Sequence, residues 1–238
     1  MNPADYDAWY KTPRGSWIGQ TEYRLLQRML EPRRGESMLD VGCGTGHFTR
    51  RFAGDGLALT GVDLNAAWLA HAAQHASAGE QYVCGDAICL PFPDKSFDLS
   101  ISVAALCFVP DHRHAIEEML RVTRRRFAIG LLNRHSLLYL QKGCGGGSGA
   151  YRGAHWHTAA EIRKLFVGLP VRNARIQTAV FLPGAGWLTQ RLEEMLPANW
   201  PGGSFVAVSG ELANGRQVVE RRSGVSVLPG NPVKQLLF

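Results

Sequence analysis

Apolar and polar positions alternate along this chain of 238 residues in two rhythms. Short, continuous apolar runs bounded by polar or glycine-rich stretches predict strands buried on both faces. They cover 37–41, 57–64, 81–87, 97–103 and 128–132. Between them, apolar positions recur at helical spacing. Phe48, Phe52 and Leu57 follow the first run, and an alanine-rich stretch over 65–76 follows the second. Ile116, Met119 and Leu120 mark a helix over 111–122. Strand and helix in turn predict an α/β chain built on a parallel sheet. After 132 the order changes to a helix over 159–167, a strand over 172–182, a helix over 187–196 and a strand over 205–212. Thr158 with Glu161 three positions on has the form of a capping box for the first of these. Ahead of the first strand, Tyr23, Leu26, Met29 and Leu30 predict a helix over 21–30 that Pro32 ends.

Composition narrows the class. A hydrophobic share of 45% is enough for a real core, and no apolar run reaches the length of a membrane span. The first residues, Met1-Asn2-Pro3-Ala4-Asp5, lack the basic region and apolar core of a secretory signal. Five scattered cysteines suit a reducing, cytoplasmic setting better than a disulfide framework. The net charge of +6 is spread along the chain, with no continuous basic stripe. It reads as a solvated surface; a nucleic-acid partner is disfavoured but left open.

The chemistry concentrates in Met38-Leu39-Asp40-Val41-Gly42-Cys43-Gly44-Thr45-Gly46-His47-Phe48. A strand runs into a glycine turn and then a helix, the first βα unit of a nucleotide-binding fold. The helix start offers unpaired N–H groups to an anionic group. A dinucleotide fingerprint, G-x-G-x-x-G, would need glycine at His47 or Thr49, so a nicotinamide-linked reductase is disfavoured. Asp63 closes the second strand, where an acidic side chain accepts hydrogen bonds from ribose hydroxyls. Its alternative is a cap for the helix that begins at Asn65.

Asp40 to Gly46, reading D-x-G-x-G-x-G, resembles motif I of the class I S-adenosylmethionine-dependent methyltransferases. Gly85-Asp86-Ala87, with Leu90-Pro91-Phe92-Pro93-Asp94-Lys95-Ser96-Phe97-Asp98, resembles the type 11 (ubiquinone/menaquinone-biosynthesis-like) family. The resemblance covers about 36–132. It implies a Rossmann-like, doubly wound, mixed sheet of seven strands ordered 3-2-1-4-5-7-6, the last antiparallel, with helices on both faces. It implies S-adenosylmethionine as cofactor. Asp40, Gly42, Cys43, Gly44 and Gly46 would then form the turn at its methionine end, with Val103 nearby. Asp63 and Leu64 would lie at the ribose. Asp86 would accept from the adenine amino group, and the N–H of Ala87 would meet a ring nitrogen. The family's R-P-G-G turn is replaced by Arg124-Arg125-Arg126, expected to be a solvated turn.

Three regions lie outside the motif. Residues 1–36 hold Tyr6, Trp9, Tyr10 and Trp17. They read either as an arm packed on the body or as an aromatic cover over the cofactor, with Tyr10 facing a sulfonium. The methyltransferase domain spans 37–213, and its glycine-rich stretch 133–157 is expected to be a lid over the acceptor. Residues 214–238 read as a loosely held tail. His135 and His157 are candidate general bases, each with a purely structural alternative. No metal site is expected: no CxxC spacing exists, and nothing makes His112, His114, His155 and His157 converge. Methyl transfer to a small-molecule acceptor is the favoured function. An RNA or protein methyltransferase and a non-catalytic cofactor-binding scaffold are the alternatives. The acceptor atom and the oligomeric state are not encoded in any motif.

Overall fold

The computed structural model describes residues 2–182 and 186–213. The expected tail over 214–238 lies outside the described residues. One seven-stranded sheet runs in the order β3-β2-β1-β4-β5-β7-β6. Its strands are β1 Ser37–Val41, β2 Ala58–Asp63, β3 Glu80–Cys84, β4 Phe97–Val103, β5 Thr123–Leu132, β6 Val171–Ala179 and β7 Phe205–Leu212. β1 pairs in parallel with β2 and β4, and β7 lies antiparallel between β5 and β6. Order and direction match the expectation. Strand order reverses between β1 and β4, so their carboxyl ends open a crevice at the switch point.

The helices are α1 Pro3–Lys11, α2 Pro13–Leu30, α3 His47–Gly54, α4 Ala66–Gln74, α5 His112–Val122, α6 Ala159–Leu165 and α7 Trp187–Met195. They cover both sheet faces because the central strands are apolar on both. Leu26, Leu30 and Phe52 pack with Leu59, Ile101 and Phe205 on one face. Ile116, Met119 and Ile162 pack with Val41, Ile129 and Val206 on the other. Thr158 and Glu161 form the expected capping box at α6.

Two local expectations are corrected. The stretch before 21 is helical: Asn2 caps α1 with Pro3 behind it, and Thr12 caps α2 with Pro13 behind it. Arg124–Arg126 belong to β5 rather than to a turn. They are not a free basic knot, because Arg124 pairs with Asp98, Arg125 with Glu36, and Arg126 with Glu31 and Glu211. A strand start is favourable there because neighbouring elements supply a carboxylate for each guanidinium. Among the described residues no helix is long and apolar enough to cross a membrane.

Candidate active site

The glycine turn leaves β1 and enters α3 with Gly42, Gly44 and Gly46 at φ of 73°, 56° and 78°. Those are left-handed values that glycine adopts without steric cost. Space also excludes a side chain. A Cβ on Gly42 would stand 2.3 Å from the Ala105 side chain, and one on Gly46 2.3 Å from the Tyr82 hydroxyl. The carbonyl of Val62 accepts from the N–H groups of Gly42 and Cys43 at 2.7 and 3.0 Å, tying the turn to β2.

Asp63 finishes the clamp. Its Oδ2 accepts from the Gly44 N–H at 2.8 Å, and its Oδ1 accepts from the Asn65 N–H at 2.9 Å. The cap of α4 is Asn65, whose side chain accepts from Ala67 and Trp68. Asp63 is therefore not the helix cap. It spans the strand end and the glycine turn, and each oxygen keeps a lone pair for a further donor. Asp40, buried at the end of β1, accepts from the Thr49 hydroxyl at 2.7 Å. Burial, with the charge of Asp63 adding to it, pushes the Asp40 carboxyl up to about 7. Neither Asp40 nor Asp63 has an ion-pair partner among the described residues.

These groups floor a cavity of about 720 Å³, within the range of small-molecule and cofactor sites. Tyr10, Asp40, Gly42, Cys43, Gly44, Asp63 and Val103 line it, as do Asn65, Trp68 and Ala104. Ala104, just past β4, holds φ of 55°, a strained conformation for a residue with a side chain and one found preferentially at functional sites. Gly46, Leu64, Asp86 and Ala87 lie outside the lining residues. Leu64 is exposed, and Asp86 accepts from the Ile88 N–H at 3.1 Å, closing a local turn after β3.

The opposite wall comes from distant parts of the chain. α1 contributes Tyr6, Trp9 and Tyr10; α2 contributes Arg14, Ile18 and Glu22. Tyr10 stacks on His47 with ring centroids 3.6 Å apart and planes 8° from parallel. Burial, then the charges of Arg51 and Arg50, brings the His47 imidazole down to about 4, so it is neutral. α1 is also pinned by charge. Asp7 accepts from the Thr45 hydroxyl inside the glycine turn, pairs with Arg50 at 3.0 Å and meets His71 at 3.1 Å. Burial pushes the Asp7 carboxyl up, but these three partners outweigh it and hold it below its ordinary range.

The 133–157 stretch completes this wall with Leu138, Lys142 and Gly149 to Tyr151. It is not a free loop. Asn133 donates through its side-chain amide to the carbonyls of Pro201 and Gly203, both at 2.7 Å. The N–H groups of His155 and His157 donate to Cys107 and Leu132 at 2.8 Å. His135 is exposed, and His157 is buried away from the cavity; neither lines it. The rings of His112, His155 and His157 do converge, with centroids 4.4 to 5.0 Å apart. They pack as rings, and among the described residues no group is arranged to hold a metal ion. Burial, then the neighbouring imidazoles, lowers His157 to about 3. The sequence reading missed Glu22, Trp68, Phe108 and Tyr151. Glu22 left a trace: it stands four residues from both Ile18 and Leu26 on α2, a charge on an apolar stripe.

Residues 39–126 match the family model described as a methyltransferase domain. That segment, less than half of the chain, is similar to this methyltransferase family. Among curated relatives, the malonyl-[acyl-carrier protein] O-methyltransferase of Yersinia pestis is 37% identical over 105 residues, 44% of this chain and 39% of its own length. The demethylmenaquinone methyltransferase of Paenarthrobacter aurescens is 33% identical over 45% of this chain and 43% of its own length. The match thus spans about two fifths of each relative. The fold is shared more widely. An S-adenosylmethionine-dependent methyltransferase of Thermotoga maritima, described as a possible histamine N-methyltransferase, superposes with a TM-score of 0.70 at 22% identity, covering 88% of this chain and 95% of that one. The phosphoethanolamine N-methyltransferase 2 of Haemonchus contortus, solved with S-adenosylmethionine, gives 0.61 at 17% identity, over 81% and 52%.

The residues that line the cavity fit that cofactor. Two carboxylates without a cation partner suit the ammonium and sulfonium charges of S-adenosylmethionine, and aromatic faces border them. The spare lone pairs of Asp63 suit a ribose diol.

Proposed function

We propose that this protein is an S-adenosylmethionine-dependent methyltransferase acting on a small organic acceptor, free or carrier-linked. One observation carries the reading. A single cavity joins the acidic glycine-turn floor to an aromatic wall built from α1, α2 and 133–157, with room for donor and acceptor together. The bound cofactor supplies a methyl group already activated by a sulfonium. The protein's part is to bind, align and keep dry. Alignment of two reactants is worth roughly 7–11 kcal/mol at best.

In this reading Asp63 holds the ribose, and Asp40 with the turn holds the methionine end. Asp86 and the Ala87 N–H serve adenine at the rim. Residues 1–36 act as the arm over the cofactor, with Tyr10 and Tyr6 as its inner face. Residues 133–157 act as the acceptor-side cover, and 37–213 as the catalytic body. A cytoplasmic setting is supported by the free thiols of Cys84, Cys89 and Cys144 at the surface.

The test is calorimetric binding of S-adenosylmethionine, followed by transfer of radiolabelled methyl into a cell extract separated into small molecules, RNA and protein. Label in small molecules is the expected result. Label in RNA or protein would replace the acceptor class. Cofactor binding with no label anywhere would leave a scaffold, and no cofactor binding would overturn the reading.

A further inference from the structure

Glu22 has no structural occupation. It sits in the middle of α2 and lines the cavity, with no hydrogen bond or ion pair to its carboxyl among the described residues. The other carboxylates of the cavity are differently placed. Asp40 and Asp63 act on each other and are held by the Thr49 hydroxyl and by backbone N–H groups. The charge of Glu22 is felt instead by Tyr6 and Tyr10 of α1 and by Tyr151 of the 133–157 stretch. The cavity therefore has two acidic ends, one at the glycine turn and one under the tyrosines. Glu22 is half-buried at the cavity wall, and no donor among the described residues is hydrogen-bonded to its carboxyl, so its ionised form there is only partly compensated.

We infer that Glu22 is the proton-accepting group for the methyl acceptor, and that the acceptor therefore offers an N–H or O–H group rather than a carboxylate. The inference rests on the methyltransferase reading above. The step balances as follows. The acceptor nitrogen or oxygen forms a bond to the methyl carbon while the bond from that carbon to the sulfonium sulfur breaks. The sulfonium becomes a neutral thioether by keeping the electron pair. The proton of the N–H or O–H bond passes to the Glu22 carboxylate, and solvent removes it afterwards. A carboxylate acceptor has no proton to lose and would gain nothing from a second acid beside it.

Burial alone pushes Glu22 up to about 8, and a base works best when its own affinity for protons lies near the working pH. The charged and titratable groups that share the cavity with it are Arg14 on its own helix, Tyr6 and Tyr10 on α1, Asp40, Cys43, His47 and Asp63 around the glycine turn, and Lys142 and Tyr151 across the cavity. The His47 imidazole, stacked on Tyr10 and lowered to about 4, binds a proton too weakly at neutral pH to serve, which leaves Glu22 as the group poised for this role.

The test uses the full chain and the Glu22→Gln variant, with methyl-labelled S-adenosylmethionine and the small-molecule fraction of a cell extract. Calorimetry is expected to give the variant the same affinity for S-adenosylmethionine within about twofold, which also reports an intact fold. Failure of the unaltered chain to bind would sink the methyltransferase reading itself. The labelled products are then treated with mild base, which frees methanol from methyl esters but leaves N-methyl and methyl-ether products intact. Base-stable label that falls at least tenfold in Glu22→Gln is the expected result. Base-labile label, or base-stable label undiminished in the variant, overturns the inference. Carbon-13 titration of the Glu22 carboxyl with S-adenosylhomocysteine bound decides it even if no product forms. A midpoint near 8 is expected, and one in the ordinary carboxylate range overturns it.

Discussion

The two walls of the cavity are built on opposite plans. The floor, from Asp40 to Asp63, comes from one stretch of chain, and backbone groups hold it: the Val62 carbonyl and the N–H groups of Gly44 and Asn65. The opposite wall is assembled from α1, α2 and 133–157, and side chains hold it: Asp7 on Arg50, Tyr10 on His47, Asn133 on the 201–203 carbonyls. Backbone geometry is fixed by the fold and changes little with sequence. Side-chain contacts are set residue by residue. On the proposed reading, the difference suits a constant cofactor on one side and a specific acceptor on the other.

The largest effect should come from the backbone-held floor. Gly42→Ala places a methyl 2.3 Å from Ala105 at a φ of 73°. Left-handed strain and overpacking together should cost about 2–5 kcal/mol of unfolding free energy in urea titrations. A variant as stable as the parent would mean that the turn yields and that the rigid-floor description is wrong. Next, Asp63→Ala should weaken S-adenosylmethionine by about 1.5–3 kcal/mol in calorimetry, the scale of hydrogen bonds to a charged group. An unchanged constant with the fold intact would remove Asp63 from the site.

The side-chain-held wall should respond more gently. Asp7→Ala should cost about 1 kcal/mol in cofactor affinity and speed amide exchange across α1 while leaving β1 protected. Equal protection of α1 in parent and variant would show that aromatic packing alone seats it. The smallest effect is read by pH. The folded state keeps His157 neutral while the unfolded chain protonates it near 6.5, so its contribution is present above that pH and is lost as pH falls below it. From pH 8 to pH 6 this should amount to about 0.8 kcal/mol for one imidazole. His112 and His155 face it as rings, with Glu161 nearby. His157→Phe should flatten the pH dependence of the urea midpoint; an unaltered slope would place the acid sensitivity elsewhere.

The same contrast governs what the sequence made legible. β1, β4 and β7 begin and end where their apolar runs do, because strands buried on both faces tolerate little else. The glycine turn is legible because positive φ demands glycine. α1 and the start of α2 are marked only by their caps, Asn2-Pro3 and Thr12-Pro13, because α1 buries no residue fully and so carries no apolar stripe at helical spacing. The first residues of β5 were missed because Thr123 to Arg126 carry no apolar run. Their guanidiniums pair with Glu31, Glu36, Asp98 and Glu211, none of them near in sequence. Glu22 and Tyr151 share a cavity across more than a hundred residues of chain, a proximity that only the folded topology creates.

Asp7 and Thr45 give the arm and the glycine turn a common fate. Thr45 stands between two glycines of the turn, and its hydroxyl is bonded to the arm. Whatever steadies the turn therefore steadies the arm, and thermodynamic reciprocity requires the converse by the same factor. On the proposed reading, a donor bound at the turn and an arm seated on Thr45 favour each other by the same factor. The expected consequence is ordered binding, with the cofactor entering before the acceptor.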